Sequence, residues 1–260
     1  MNIYEPIAII FGMIIGSFLN VCIYRIPREE SVISPPSACP YCSMPIRPWD
    51  NIPVISYIAL LGRCRNCREK ISLRYPLVEM TNGLFYWAIL RQFDMGWHLP
   101  ALFAFASAML VITFIDLDVQ IIPDAITLPG MLIGVAAAPF LPDPFANFTT
   151  VGFINSLIGL AAGYGSFLLI AIIGSWLAKT EAMGGGDLKL MGMVGAFMGW
   201  KAVLLTTFAG SITGSIIGLG MMALKGKDRK TLIPFGPFLA AGALISLFFG
   251  EAIASWYLSF

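Results

Sequence analysis

Residues 181–192, EAMGGGDLKLMG, place three consecutive glycines and the carboxylate of Asp187 between two long apolar runs. A polar connection with apolar runs on both sides is typical of a chain that crosses a membrane repeatedly. An ionisable residue at membrane depth costs about 3 kcal/mol on insertion scales, so Asp187 indicates a site. The rest of the chain has to supply a partner for this acid.

Composition indicates a membrane protein, because 58% of the 260 residues are hydrophobic and only 12% are charged. Soluble domains carry about 25% charged residues, and a helical span needs about 20 apolar residues. We therefore predict an all-α polytopic membrane protein with about eight transmembrane helices. The candidate spans run near residues 6–24, 76–90, 99–115, 125–141, 151–178, 188–200, 202–224 and 232–249.

The basic residues predict the orientation, because fourteen of the sixteen lie in alternate connections: residues 25–74, Lys179 with Lys189, and residues 225–230. The positive-inside rule places these connections in the cytoplasm and both termini outside.

The same pattern divides the chain into three parts. Residues 1–26 form the first transmembrane helix, 27–75 a cytoplasmic domain, and 76–260 a seven-helix membrane domain. Glu5 precedes the first apolar run, where a cleavable signal would carry basic residues, so we expect this span to be retained.

Four cysteines in the cytoplasmic domain form two Cys-x-x-Cys pairs, Cys39 with Cys42 and Cys64 with Cys67. The 21 residues between the pairs suit tetrahedral zinc ligation by four thiolates. Two disulfides are the alternative, which a reducing compartment disfavours. Four protein ligands leave no open position on the metal, so we expect a structural zinc ion that stabilises the fold of the domain.

The partner for Asp187 is predicted at the end of the third span, TFIDLDVQIIPD, which holds Asp116, Asp118 and Asp124. Asp116 and Asp118 lie about 200° apart around a helix, so only one of them faces inward. Asp116 completes the apolar run more directly and is the expected inward acid. Asp118 and Asp124 are expected at the solvated interface.

Two carboxylates brought together share a proton, and such a pair can activate water and protonate a carbonyl, as in an aspartic protease. Gly184, Gly185 and Gly186 would then let an extended peptide approach the backbone closely; a loose loop is the alternative. Because Asp187 begins a helix and Asp116 ends one, the helix dipoles predict the resting proton mainly on Asp116.

Several segments occur in the order expected of one known family: GSFLNVCIYRIP, both Cys-x-x-Cys pairs, RYPLVEMTNGLF, IDLDVQIIPDAITLP and MGGGDLKLMG. The sequence resembles the bacterial type IV prepilin peptidases, intramembrane aspartic proteases marked by a Gly-x-Gly-Asp motif. The resemblance covers nearly the whole chain.

The resemblance implies Asp116 and Asp187 as the catalytic pair and zinc on the four cysteines. It implies an inner-membrane enzyme that cuts the leader of type IV prepilins or type II secretion pseudopilins on the cytoplasmic side, after a glycine. It also implies S-adenosylmethionine as methyl donor for the new N-terminus. Membrane lipid surrounds such a protein, and we expect no nucleic-acid partner.

Glu79 shares a helix face with Asn82 and is a candidate substrate contact, although hydrogen bonding between helices is an equal alternative.

Two functions other than peptidase explain part of the pattern of acidic residues and cysteines. A proton-coupled transporter also buries carboxylates, but nearer the bilayer midplane. A non-catalytic zinc-stapled assembly factor explains the cysteines and leaves both acids without a role.

Overall fold

A computed structural model describes residues 3–146, 149–180, 183–225 and 234–259. Within these ranges the ordered elements are helices and isolated bridges, which confirms the all-α prediction. The α-helices are α1 (Tyr4–Arg25), α2 (Ile55–Ala59), α3 (Arg74–Phe93), α4 (Leu99–Val119), α5 (Asp124–Ala137), α6 (Phe153–Ala178), α7 (Gly185–Lys225) and α8 (Gly236–Leu258). The basic residues predicted in the connection 226–230 lie outside the described ranges.

Five of the described helices, α1, α4, α6, α7 and α8, are long and apolar enough to cross a membrane, and α5 is a shorter apolar helix. The sixth and seventh predicted spans both fall within α7, and the second predicted span corresponds to α3. A helical membrane protein is thereby confirmed, and the count of eight spans stays a prediction.

The chain forms two compact units, residues 1–99 and 100–260. In the first unit, α1 packs closely against α3 because Gly12 and Gly16 lie one turn apart on α1. A Cβ at Gly12 would lie 2.8 Å from the Cα of Gly83, and one at Gly16 would lie 2.7 Å from the Cα of Glu79. Small residues at this spacing let membrane helices approach. The Asn82 side chain then donates a 2.7 Å hydrogen bond to the Gly12 carbonyl.

In the second unit, α7 is broken at Gly199, whose backbone (φ 76°, ψ −179°) is not helical. A straight helix would hold Gly186 and Gly214 about 42 Å apart. In the structure, Ile122 lies against Gly186 and also against Gly236, the first residue of α8. Phe235, the residue before Gly236, lies near Gly214. Gly186 and Gly214 are therefore both close to the start of α8. The chain therefore reverses at Gly199, in agreement with two predicted spans in this region.

The first half of α7 packs tightly on α6. Gly159 and Gly195 meet backbone to backbone, and neither position has room for a Cβ. The buried Ser156 hydroxyl donates a 2.6 Å hydrogen bond to the Ala196 carbonyl. Aromatic packing of Phe105 on Phe197, with ring centroids 4.7 Å apart, joins α4 to the same half of α7. These contacts pack the first half of α7 against both α6 and α4.

We expect Gly199→Ala to lower the thermal unfolding midpoint of the detergent-purified protein. An L-residue in this conformation costs about 1–3 kcal/mol, and the new Cβ would lie 2.8 Å from Nδ2 of Asn155. Gly165→Ala on α6 is the matched control, because no atom of the described residues lies within 4 Å of its added Cβ. An unchanged midpoint in Gly199→Ala would contradict the break as described.

Candidate functional site

Asp116 occupies the last turn of α4 and is 5% exposed, next to the fully buried Ile115. Its Oδ2 accepts a 2.9 Å hydrogen bond from the backbone N–H of Gly236, the first residue of α8. Asp118 is exposed. The prediction that Asp116 rather than Asp118 faces inward is confirmed.

Asp187 occupies the first turn of α7 and is half-buried. Its backbone N–H donates to the Gly184 carbonyl at 3.2 Å, and its carboxylate interacts electrostatically with that of Asp116. The structure thus brings together the two acids that the sequence selected, at the end of α4 and the start of α7.

Asp187 lies at a helix N-terminus, as predicted, but Asp116 also meets one, because its Oδ2 faces the first N–H of α8. The prediction that the resting proton lies on Asp116 assumed that only Asp187 had this advantage. The N-terminus of α8 therefore offsets part of the dipole difference, although the C-terminal end of α4 still disfavours a carboxylate at Asp116. The resting proton on Asp116 stays a prediction.

Ile122 forms the apolar wall beside the acids. A Cβ at Gly186 would lie 2.6 Å from the Ile122 Cβ, and one at Gly236 would lie 3.2 Å from its Cδ1. Gly186 is therefore needed for packing within the protein. Gly184 and Gly185 are exposed, and no other residue lies within 4 Å of a Cβ added at Gly185. Of the three glycines, Gly184 and Gly185 leave room for a ligand.

Sequence reasoning missed Gly236 and Ile122. The available signal was the pair Gly236-Pro237 at the start of the last span, a place where a helix begins without a side-chain cap. Nothing in the sequence ties that pair to Asp116.

Asp124 lies in the first turn of α5 and pairs with Lys189, whose Nζ is 2.6 Å from both carboxylate oxygens. The Asp124 side chain is 55% exposed, as expected for an interface residue. Lys189, which lies two residues beyond Asp187, thus neutralises Asp124.

Glu79 is buried on α3, and its Oε2 accepts a 2.8 Å hydrogen bond from the backbone N–H of Val54. Val54 has a positive φ of 60°, which is unusual for a β-branched residue. Glu79 therefore anchors a strained turn of the connection between α1 and α3. Its role in substrate binding stays a prediction.

The four cysteines predicted as ligands come together, with their Sγ atoms all within 4.8 Å of one another. They are free thiols, which disagrees with the disulfide alternative. This cluster, Cys39, Cys42, Cys64 and Cys67, can hold a metal ion.

The two Cys-x-x-Cys turns are built alike. Cys39 N–H donates to the Met44 carbonyl at 3.0 Å, and Cys64 N–H donates to the Glu69 carbonyl at 2.8 Å. In each turn the residue after the second cysteine, Ser43 or Arg68, has a positive φ and donates its N–H to the first cysteine's carbonyl. This repeated geometry aims both pairs of sulfurs at a common point.

Hydrogen bonding favours the thiolate form at two of the ligands. The Met44 backbone and then the Asn66 side chain lower the pKa of the Cys42 thiol to about 6. Backbone hydrogen bonds from Cys67 and Asn66 lower the pKa of the Cys64 thiol. Thiolate is the form that binds metal.

Fold and site together define a helical membrane protein with a pair of aspartates at helix ends in one compact unit and a four-cysteine cluster in the other. The family model described as "Bacterial Peptidase A24 N-terminal domain" matches residues 10–93, and the "Type IV leader peptidase family" model matches residues 103–219. The first match contains the cysteine cluster, and the second contains both acids.

Curated relatives cover nearly the whole chain. A "Prepilin leader peptidase/N-methyltransferase" of Pseudomonas aeruginosa is 34% identical over 97% of this chain and 92% of its own length. A protein of the same name from Aeromonas hydrophila is 34% identical over 99% of this chain and 94% of its own length. One from Myxococcus xanthus is 39% identical over 84% of this chain and 63% of its own length. The chain belongs to the type IV leader peptidase family. No solved structure is significantly similar to it.

Proposed function

We propose that this protein is a membrane aspartic endopeptidase that removes the leader peptide of type IV prepilins or type II secretion pseudopilins and then methylates the new N-terminus. The observation that carries the proposal is the electrostatic interaction between Asp116, at the end of one apolar helix, and Asp187, at the start of another. Its support is family membership and relatives named for both activities.

In the proposed reaction, one carboxylate takes a proton from water, and the resulting hydroxide attacks the scissile carbonyl carbon. The protonated carboxyl of the other aspartate gives its proton to the carbonyl oxygen. As the tetrahedral intermediate collapses, the second aspartate takes back a proton from one of its hydroxyl groups, the C–N bond breaks, and the proton first taken from water goes to the leaving amine. The products are the leader with a new carboxylate and the pilin with a free N-terminal amine.

The approach of the substrate uses the exposed backbone of Gly184 and Gly185. An extended peptide held beside Asp187 needs backbone contacts, and glycine brings the two chains close without a Cβ between them. Ile122, the apolar wall beside the acids, packs against the next glycine, Gly186. Glu79 remains a second predicted substrate contact.

The metal that best suits the cysteine cluster is zinc. Tetrahedral zinc with Zn–S bonds of about 2.3 Å separates its sulfur ligands by about 3.8 Å. The Sγ atoms of Cys39 and Cys67 lie 3.8 Å apart. All four ligands come from the protein, so the ion would be structural, and we assign it no step in catalysis.

The methyl donor implied by the relatives' names is S-adenosylmethionine, which carries positive charge on its sulfonium and its amino group. The cavity of about 430 Å³ in the first unit has the size of a small-molecule site. Its lining holds Arg25, which suits the cofactor's carboxylate, but no acidic residue to match the two positive groups. We therefore derive no step through this cofactor.

The proposed location is the bacterial inner membrane, with both termini outside and the cysteine-containing connection in the cytoplasm. This orientation rests on the distribution of Lys and Arg.

The function is tested by incubating the detergent-purified protein with a purified prepilin and measuring product masses. We expect loss of the leader after its terminal glycine, and a further mass increase of one methyl group when S-adenosylmethionine is added. A prepilin with that glycine replaced by valine is the matched substrate control. Failure to cleave the natural prepilin would reject the peptidase, and failure to methylate a cleaved pilin would reject the second activity alone.

A further inference from the structure

We infer that Gly236, through its backbone N–H, is the positioning residue that orients Asp116. It holds Oδ2 as a hydrogen-bond acceptor and leaves Oδ1 as the oxygen that exchanges protons with water, substrate or Asp187. The inference rests on the proposed function, because it specifies which carboxylate oxygen does the chemistry.

The first turn of α8 has one backbone donor that points away from its own helix. Pro237 has no N–H, and the N–H groups of Phe238 and Leu239 both donate to the Phe235 carbonyl, at 3.1 and 3.2 Å. The remaining donor, the Gly236 N–H, is buried and binds Asp116 at 2.9 Å. The first N–H groups of a helix have no partner within it, so this contact also satisfies a donor that burial would leave unpaired.

The contact requires glycine because a side chain would occupy the space of the carboxylate. A Cβ at Gly236 would lie 2.7 Å from Oδ2 and 3.1 Å from Cγ of Asp116. Ile122 blocks the other side at 3.2 Å and cannot retreat, because it already packs against Gly186. Any substitution at Gly236 therefore displaces Asp116 or Ile122.

The hydrogen bond also determines where a proton on Asp116 can lie. A backbone amide donates and cannot accept, so the oxygen facing it, Oδ2, must be an acceptor. The carbonyl oxygen of a carboxyl group is a stronger acceptor than its hydroxyl oxygen, so the contact favours the proton of Asp116 on Oδ1. The Gly236 amide thus orients the carboxyl and assigns different tasks to its two oxygens.

Two substitutions at this position separate the hydrogen bond from the steric effect. Gly236→Ala adds the clashing Cβ, whereas glycolic acid in place of Gly236, incorporated by nonsense suppression, replaces the N–H with an ester oxygen and adds no Cβ. We expect each to reduce kcat for prepilin cleavage by about 100-fold, as for a misplaced catalytic group, with KM changed by less than about 3-fold. Gly165→Ala is the control and should retain wild-type kinetics, since nothing lies near its added Cβ.

The carboxyl carbon NMR signal of Asp116, assigned by its loss in Asp116→Asn, reports the hydrogen bond without any activity. We expect this signal to shift in the glycolic-acid protein while the thermal unfolding midpoint shows that the protein is folded. An unshifted signal, or wild-type kcat in the folded glycolic-acid protein, would overturn the inference even if Gly236→Ala misfolds. Inactivity of the wild-type protein toward prepilin would reject the proposed peptidase, and the NMR signal would still decide the contact.

Discussion

Asp187→Asn and Asp116→Asn should each reduce prepilin cleavage by about 10⁴-fold or more while the protein remains folded in the membrane. Asparagine has nearly the shape of aspartate but can neither take a proton from water nor donate one as an acid. Loss of one member of a catalytic unit typically costs about as much as loss of the whole unit. The measurement is the initial rate of leader removal by the detergent-purified variants.

The double variant tests whether the acids act together. We expect Asp116→Asn combined with Asp187→Asn to be no slower than either single variant, because each alone already disables the pair. Asp118→Asn is the matched control: it removes a carboxylate from the same helix end, but an exposed one, and should remain active. Inactive Asp118→Asn alongside active Asp116→Asn would show that Asp118 is the second catalytic acid.

Cys64→Ser is expected to release the metal ion and open the cysteine-containing connection. Apparent binding free energies of structural zinc are about 10–16 kcal/mol, and most of this is lost with one of four ligands. Trypsin should then cut at Arg63, Arg65 or Arg68, where we expect the wild-type protein to resist. Metal analysis and limited proteolysis measure the two effects.

The control for this experiment is Cys22→Ser, which removes a buried thiol of α1 and none of the four clustered sulfurs. It should keep the metal and the resistance to trypsin. Because both acids belong to the other compact unit, we expect leader cleavage to persist in Cys64→Ser. A wild-type preparation without metal but with normal resistance to trypsin would disprove a structural ion.

The sequence alone determined the features that depend on short-range patterns. Apolar run length identified the helical membrane class, because a span has a fixed minimum length. The helical repeat allowed only one of Asp116 and Asp118 to face inward, and the apolar run that ends at Asp116 selected that residue. The cysteine spacing predicted the cluster, because two short turns suffice to present four sulfurs.

Only the tertiary structure decided what each polar group contacts across the fold. Asp124 pairs with Lys189 across 65 positions, and Asp116 binds the Gly236 N–H across 120. The second contact leaves no side-chain signature, because every residue except proline carries the same backbone donor. Packing of α8 beside Ile122 selects that one donor, and it also reduces the dipole difference from which the sequence predicted the proton on Asp116.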